Sequence, residues 1–116
     1  ITFDIVDRDY YCYYCCYYYD YANSKPNKQP TFERILKPLA NVKRVVILTM
    51  RVPGRASEQL NNAVINNLPA THPNVSILDW HTLSKPHPEW FNSDGIHPNA
   101  LGQDNYVALI LQAIGR

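Results

Sequence analysis

The sequence predicts an α/β fold, half of a flavodoxin-like, three-layer parallel sheet. Three observations lead there. Strand-like and helix-like segments alternate along most of the chain. One segment, Val45-Val46-Ile47-Leu48, is a continuous apolar run, as expected of a parallel strand covered on both faces. The segments between strands repeat their apolar residues at helical spacing.

In chain order, Ile1-Thr2-Phe3-Asp4-Ile5-Val6 is β-branched and alternating, and reads as a strand. The next stretch holds eight of the nine tyrosines and all three cysteines, with neither a helical nor a clean strand period. Tyrosine favours extended structure and contact surfaces, which suits an interface or an edge strand. Asn23 to Pro30 contains Pro26 and Pro30 and reads as a loop. Residues 1–30 therefore form an atypical Tyr/Cys-rich segment, and 31–116 carry the regular pattern. Thr31 can cap a helix with Phe32, Ile35, Leu36 and Leu39 on one face, stopped near Pro38. After the strand at 45–48 comes the exit loop Arg51-Val52-Pro53-Gly54. Ser57 to Leu68 is expected to be helical, with Leu60, Val64, Ile65 and Leu68 as its apolar face and Asn66, Asn67 and Pro69 ending it. Val75 to Trp80 reads as the next strand, followed by a polar loop to Ser93. Asn99 can cap a last helix from Ala100 to Ile114 with Val107, Ile110, Leu111 and Ile114 inward.

Composition excludes several roles. With 116 residues the chain holds one domain at most, and its net charge of +1, with no basic stripe, argues against nucleic-acid binding. No apolar run reaches the roughly 20 residues that span a bilayer, so no membrane contact is expected of this segment. Ile1 in place of Met suggests a processed or partial chain. The three cysteines, Cys12, Cys15 and Cys16, are odd in number and define no disulfide framework. Cys12 and Cys15 form a C-x-x-C, yet no second pair of ligands follows at zinc spacing, so no metal is expected.

The chemistry concentrates after the last strand, where open α/β sheets carry their sites. Asp94 and His97 stand three residues apart at the entry to the last helix. A tight turn there brings the carboxylate to the imidazole, fixing its tautomer and stabilising the imidazolium formed when His97 takes a proton. Gly95 permits the turn, and Pro98 stiffens the chain beyond it. A bare D-x-x-H is common, and a capping Asp beside a packed His is the plain alternative.

The wider string is more specific. Asp79-Trp80, His87-Pro88-Glu89-Trp90-Phe91, Ser93-Asp94-Gly95-Ile96-His97-Pro98-Asn99 and Gly102-Gln103 resemble the last conserved block of the SGNH (GDSL-like) hydrolases. The closest likeness is to the extracellular SGNH domains of bacterial peptidoglycan O-acetyltransferases. Val46-Ile47-Leu48 followed by Arg51-Val52-Pro53 resembles the preceding strand and exit loop, so the likeness covers about residues 31 to 116. It implies an SGNH hydrolase fold lacking its N-terminal strands, which a second chain or a missing N-terminal part would complete. It also implies a Ser-His-Asp triad on acyl esters, with His97 as base and Asp94 as its acid, an extracellular or cell-surface setting, a cell-wall glycan or ester substrate, and no cofactor.

The family's Gly-Asp-Ser nucleophile block has no counterpart here, and Ser24, Ser57, Ser76, Ser84 and Ser93 all lie in other contexts. Two further readings therefore stay open: a noncatalytic SGNH-derived binding or interaction module, and a metal protein using Cys12, Cys15 and a histidine. Arg51 and Arg55 suit an acidic substrate group or plain solvation. Trp80 and Trp90 suit a sugar platform, though Trp80, next to a buried strand, reads rather as core. His72, His81 and His87 read as structural.

Overall fold

A computed structural model describes residues 10–13 and 29–115. The expected strand at Ile1–Val6, most of the Tyr/Cys stretch and residues 23–28 lie outside them. The fold is mixed α/β. Strand β1 (Tyr10–Tyr13) is followed by helix α1 (Gln29–Leu36), a 3-10 turn (Lys37–Leu39) and β2 (Arg44–Leu48). Then come α2 (Ala56–Thr71), β3 (Val75–Leu78), the short α3 (Trp80–Ser84), a second 3-10 turn (Pro88–Trp90) and α4 (Ala100–Ala113).

The three strands lie in the order β1-β2-β3, both pairings parallel, with Cys12 beside Val46 and Ile47 beside Ile77. Part of the Tyr/Cys stretch, which showed no strand period, is thus a strand, the outermost on its side among the described residues. The central position of β2 explains its composition. Val45, Val46, Ile47 and Leu48 are all buried, so both faces of this strand are covered, as the unbroken apolar run requires. Phe32 and Leu36 from α1, Ile65 and Leu68 from α2, and Ile110 and Ile114 from α4 join them in one core.

Several boundaries differ from the sequence reading, each for a local reason. Helix α1 opens at Gln29 rather than after Thr31, because Pro30 fits a first helical turn, where its missing N–H is no loss. Helix α2 runs through Pro69 to Thr71. The Pro sits in the final turn, where the carbonyl of Leu68 still receives the His72 N–H at 2.8 Å. In α2 the buried face is Asn61, Ile65 and Leu68, while Leu60 is exposed. Strand β3 stops at Leu78, since Asp79 turns outward to cap α3, accepting the Thr82 N–H at 3.2 Å. Trp80 accordingly begins a helix and lies fully buried.

Helix α4 starts where expected, with the Asn99 side chain accepting the Gly102 N–H at 3.0 Å. Its inward stripe is Gly102, Tyr106 and Ile110, continued by the C-cap Ile114, whereas Val107 and Leu111, expected inward, are exposed. The cause is a close approach: a Cβ on Gly102 would lie 2.0 Å from the Trp90 carbonyl oxygen. That contact turns the helix so that Tyr106 meets Trp80 edge-on at 5.2 Å between ring centroids. Among the described residues no helix is long and apolar enough to cross a membrane.

Replacing Gly102 by Ala should therefore force α4 away from Trp90. The expected cost is ~1–3 kcal/mol, read as a thermal midpoint several degrees lower; an unchanged midpoint would contradict the close approach.

Candidate active site

The site grows from the way the chain returns to the sheet between the 3-10 turn and α4. Phe91 and Pro98 form an isolated antiparallel bridge. Inside it, the Asn92 N–H donates to the His97 carbonyl at 2.8 Å, and the Gly95 N–H to the Asn92 carbonyl at 2.9 Å. Outside it, the Asn99 N–H donates to the Trp90 carbonyl at 2.9 Å. The Asn99 side-chain amide also donates to the carbonyls of Glu89, at 2.8 Å, and Phe91, at 3.2 Å. Residues 91–98 are thus a closed loop fixed at its base. Gly95 takes φ of 73°, a left-handed conformation that glycine adopts without penalty.

This loop brings the two sequence-predicted residues together. Asp94 Oδ2 meets His97 Nδ1 at 2.5 Å. Its other oxygen, Oδ1, accepts the backbone N–H groups of Ile96 at 2.8 Å and His97 at 3.0 Å. The carboxylate is held by the same turn that positions the ring, although both side chains are partly exposed. The imidazole proton and these two backbone donors, in that order, pull the Asp94 carboxyl from its usual 3.8 down to about 2. A charged Asp94 facing Nδ1 favours the tautomer with the proton there, which leaves the lone pair on Nε2.

A carboxylate neighbour alone does not single out His97. Each of the four histidines has one: His72 with Glu33 at 3.0 Å, His81 with Glu58 at 2.6 Å and His87 with Glu89 at 3.0 Å. Backbone scaffolding by its own turn sets Asp94 apart. His87 stacks on Trp90 at 3.9 Å between centroids and 4° between planes. Trp80 stacks on Trp90 at 5.9 Å. Trp90 is buried, which removes it as an exposed sugar platform.

The loop after β2 lies against this turn: a Cβ on Gly95 would come within 3.7 Å of the Pro53 side chain. Glu58, which the sequence reading passed over, holds that loop. One carboxylate oxygen accepts the Val52 N–H and stands 3.7 Å from the Arg51 guanidinium, while the other meets His81. Asn62 adds a two-way clasp on Met50, donating to its carbonyl at 2.9 Å and accepting its N–H at 2.7 Å. The only advance sign of Glu58 was an acid in the first turn of a helix that follows a strand exit. At the end of β3, burial raises the Asp79 carboxyl, but hydrogen bonds from Thr82 and Thr49 outweigh it and hold the group below its usual value.

The serines do not assemble with equal clarity. The Ser84 hydroxyl is buried and donates to the Trp80 carbonyl at 2.7 Å, and Ser76 on β3 accepts from Arg44 at 3.4 Å. Ser57 lies in the first turn of α2, Ser93 is exposed beside Asp94, and Ser24 lies outside the described residues. Cys12 is in β1, and Cys15 and Cys16 lie outside. Among the described residues no three His, Cys, Asp or Glu side chains are grouped to hold a metal ion.

No family model matches the chain. It is 36% identical over 70 residues, 60% of its length, to YrhL of Bacillus subtilis (strain 168), a protein named for peptidoglycan O-acetyltransferase activity. It is 28% identical over 72 residues, 62% of its length, to the peptidoglycan O-acetyltransferase OatA of Listeria monocytogenes serovar 1/2a (strain ATCC BAA-679 / EGD-e). The matched region spans 11% of the length of each of these relatives.

The depressed Asp94 carboxyl fixes a pH window. Its interaction with His97 is present above the ordinary carboxyl value of 3.8 and is lost as pH falls through about 2. Carboxyl carbon NMR should give a midpoint near 2 that moves up towards 3.8 in His97→Ala; a wild-type midpoint already at the ordinary value would show that the pair does not form.

Proposed function

We propose that the chain supplies the His-Asp part of a Ser-His-Asp site of the SGNH type, which moves acetyl groups onto or off cell-wall glycan at the cell surface. A serine hydroxyl attacks the acyl carbon while His97 Nε2 takes its proton, and Asp94 stabilises the imidazolium. His97 then returns the proton to the departing alcohol. In the second half, a sugar hydroxyl or water attacks the acyl-serine and gives its proton to His97, which passes it to the departing serine oxygen. Transfer and hydrolysis differ only in that acceptor. The fold that suits this reading is the three-layer SGNH sheet, with β2 and β3 as two of its strands.

One observation carries the proposal. The carboxylate that meets Nδ1 is itself held by two backbone N–H groups of the same turn, beside the loop leaving β2. The names of the two relatives supply the acetyl group and the glycan. The nucleophile has no recognisable counterpart in the sequence. That absence favours, for this chain by itself, the reading as an SGNH-derived binding module.

The two readings separate in one set of measurements. With an active chain, p-nitrophenyl acetate hydrolysis falls ~10²–10⁴-fold in His97→Ala and at least ~10²-fold in Asp94→Asn. A serine-directed fluorophosphonate then labels wild type but not His97→Ala. Turnover indifferent to both substitutions would remove the pair from the chemistry. Glycan binding without turnover or labelling would select the binding module.

A further inference from the structure

We infer that Glu58 is a positioning residue for the Asp94-His97 pair, acting through the loop after β2 and steered by His81. The inference deepens the acyl-ester reading and rests on it for its catalytic meaning.

The loop after β2 is a tight turn. The Arg55 N–H donates to the Val52 carbonyl at 3.3 Å, with Pro53 and Gly54 between them and Gly54 at φ of 81°. Proline followed by a left-handed glycine is the pattern of a type II turn. Its tip reaches the site, since the Pro53 side chain lies 3.7 Å from where a Cβ on Gly95 would stand. Gly95 directly follows Asp94, so the first turn leans on the second beside the carboxylate.

Glu58 acts at the root of the loop turn. Its largely buried carboxylate accepts the Val52 N–H through Oε2, and the same oxygen stands 3.7 Å from the Arg51 guanidinium. Oε1 meets His81 Nε2 at 2.6 Å. His81 is fixed in turn by the strand ends. Its backbone N–H donates to the Thr49 hydroxyl at 2.9 Å, and that hydroxyl donates to Asp79 Oδ1 at 3.0 Å. Each link therefore joins different elements: the end of β3 to the end of β2, β2 to α3, α3 to α2, and α2 to the loop.

The hydrogen bonds of Asp94 come from its own turn, and they set the carboxylate against the ring. They do not set the pair against a hydroxyl brought from elsewhere in the fold. That distance depends on what the turn leans on, and Pro53 is there. Displacing a reacting group by about 1 Å costs up to ~10²-fold in rate. A carboxylate suits the place of Glu58, because it faces a backbone N–H, a guanidinium and an imidazole and accepts at both oxygens, whereas an amide puts a donor on one side.

The test compares the full chain with Glu58→Ala and Glu58→Gln in three readouts. These are p-nitrophenyl acetate kinetics, the nuclear Overhauser contact between the Pro53 side chain and the Gly95 α-protons, and the Asp94 carboxyl midpoint. Glu58→Ala should lower kcat ~10–10²-fold at nearly constant KM. It should lose the Pro53–Gly95 contact yet keep the Asp94 midpoint near 2. Glu58→Gln, which still offers one oxygen to Val52, should recover part of kcat and of the contact. An unchanged kcat, or a contact that persists in Glu58→Ala, overturns the inference. So does a midpoint risen to the ordinary 3.8, since the turn itself would then have been lost. Should Glu58→Ala fail to fold, His81→Phe removes the Oε1 contact instead, and the same readouts decide. The His97→Ala variant keeps the two ideas apart. Turnover that is absent or indifferent to His97 removes only the acyl chemistry, and the contact and midpoint still decide the role of Glu58. Turnover that needs His97 but not Glu58 removes only the inference.

Discussion

The carbonyl of Trp90 is the point on which the site depends. It accepts the Asn99 N–H and lies so close to Gly102 that no side chain fits between them. Asn99, joined to that carbonyl, also caps α4 and ties down the carbonyls on either side of Trp90. The second 3-10 turn, the 91–98 loop and the start of α4 are thus locked together over an aromatic cluster of Trp80, Trp90, Phe91 and Tyr106. The loop that carries Asp94 and His97 leaves and re-enters this anchor. Its ordering cost falls on elements already fixed by packing, which is what a preorganised acid–base pair needs.

Electrostatics works at two ranges around that anchor. At short range, Asp94 is satisfied by its own turn, so no distant residue is required to keep it charged. At longer range, Glu58 gathers Arg51, Val52 and His81 and fixes the loop after β2 against the turn. The first arrangement orients the imidazole, and the second shapes the loop beside it. At 3.7 Å the Arg51 contact is longer than a hydrogen bond, so the weight of Glu58 lies in geometry.

The parts of the molecule that were legible in the sequence were those governed by local rules. The apolar run of β2, the Asn99 cap and the Asp94-Gly95-Ile96-His97 turn each follow from neighbouring residues alone. Where a distant partner decided the outcome, the pattern misled. Gly102 and Tyr106 line the inner stripe of α4 because of Trp90, whereas hydrophobicity alone favoured Val107 and Leu111. Asp79 and Trp80 read as strand by composition, but the carboxylate ends β3 by capping α3. The strand Tyr10–Tyr13 shows no alternation, since tyrosine and cysteine occupy every position. Glu58 left almost no trace, because its partners are assembled only when β2 meets α2.

The same distinction between local and distant separates the two halves of the proposed chemistry. Asp94 and His97 are three residues apart, and every hydrogen bond that holds Asp94 comes from within its turn. The place of Asp94 therefore rests on its own turn, held over the aromatic anchor and beside the loop after β2. A nucleophilic hydroxyl has no such local source, and must be brought to His97 by the tertiary fold or by another polypeptide. A chain can accordingly keep a well-formed acid–base pair while its partner hydroxyl changes or is supplied in trans. In the proposed chemistry the pair supplies the base, and the hydroxyl decides whether it turns over.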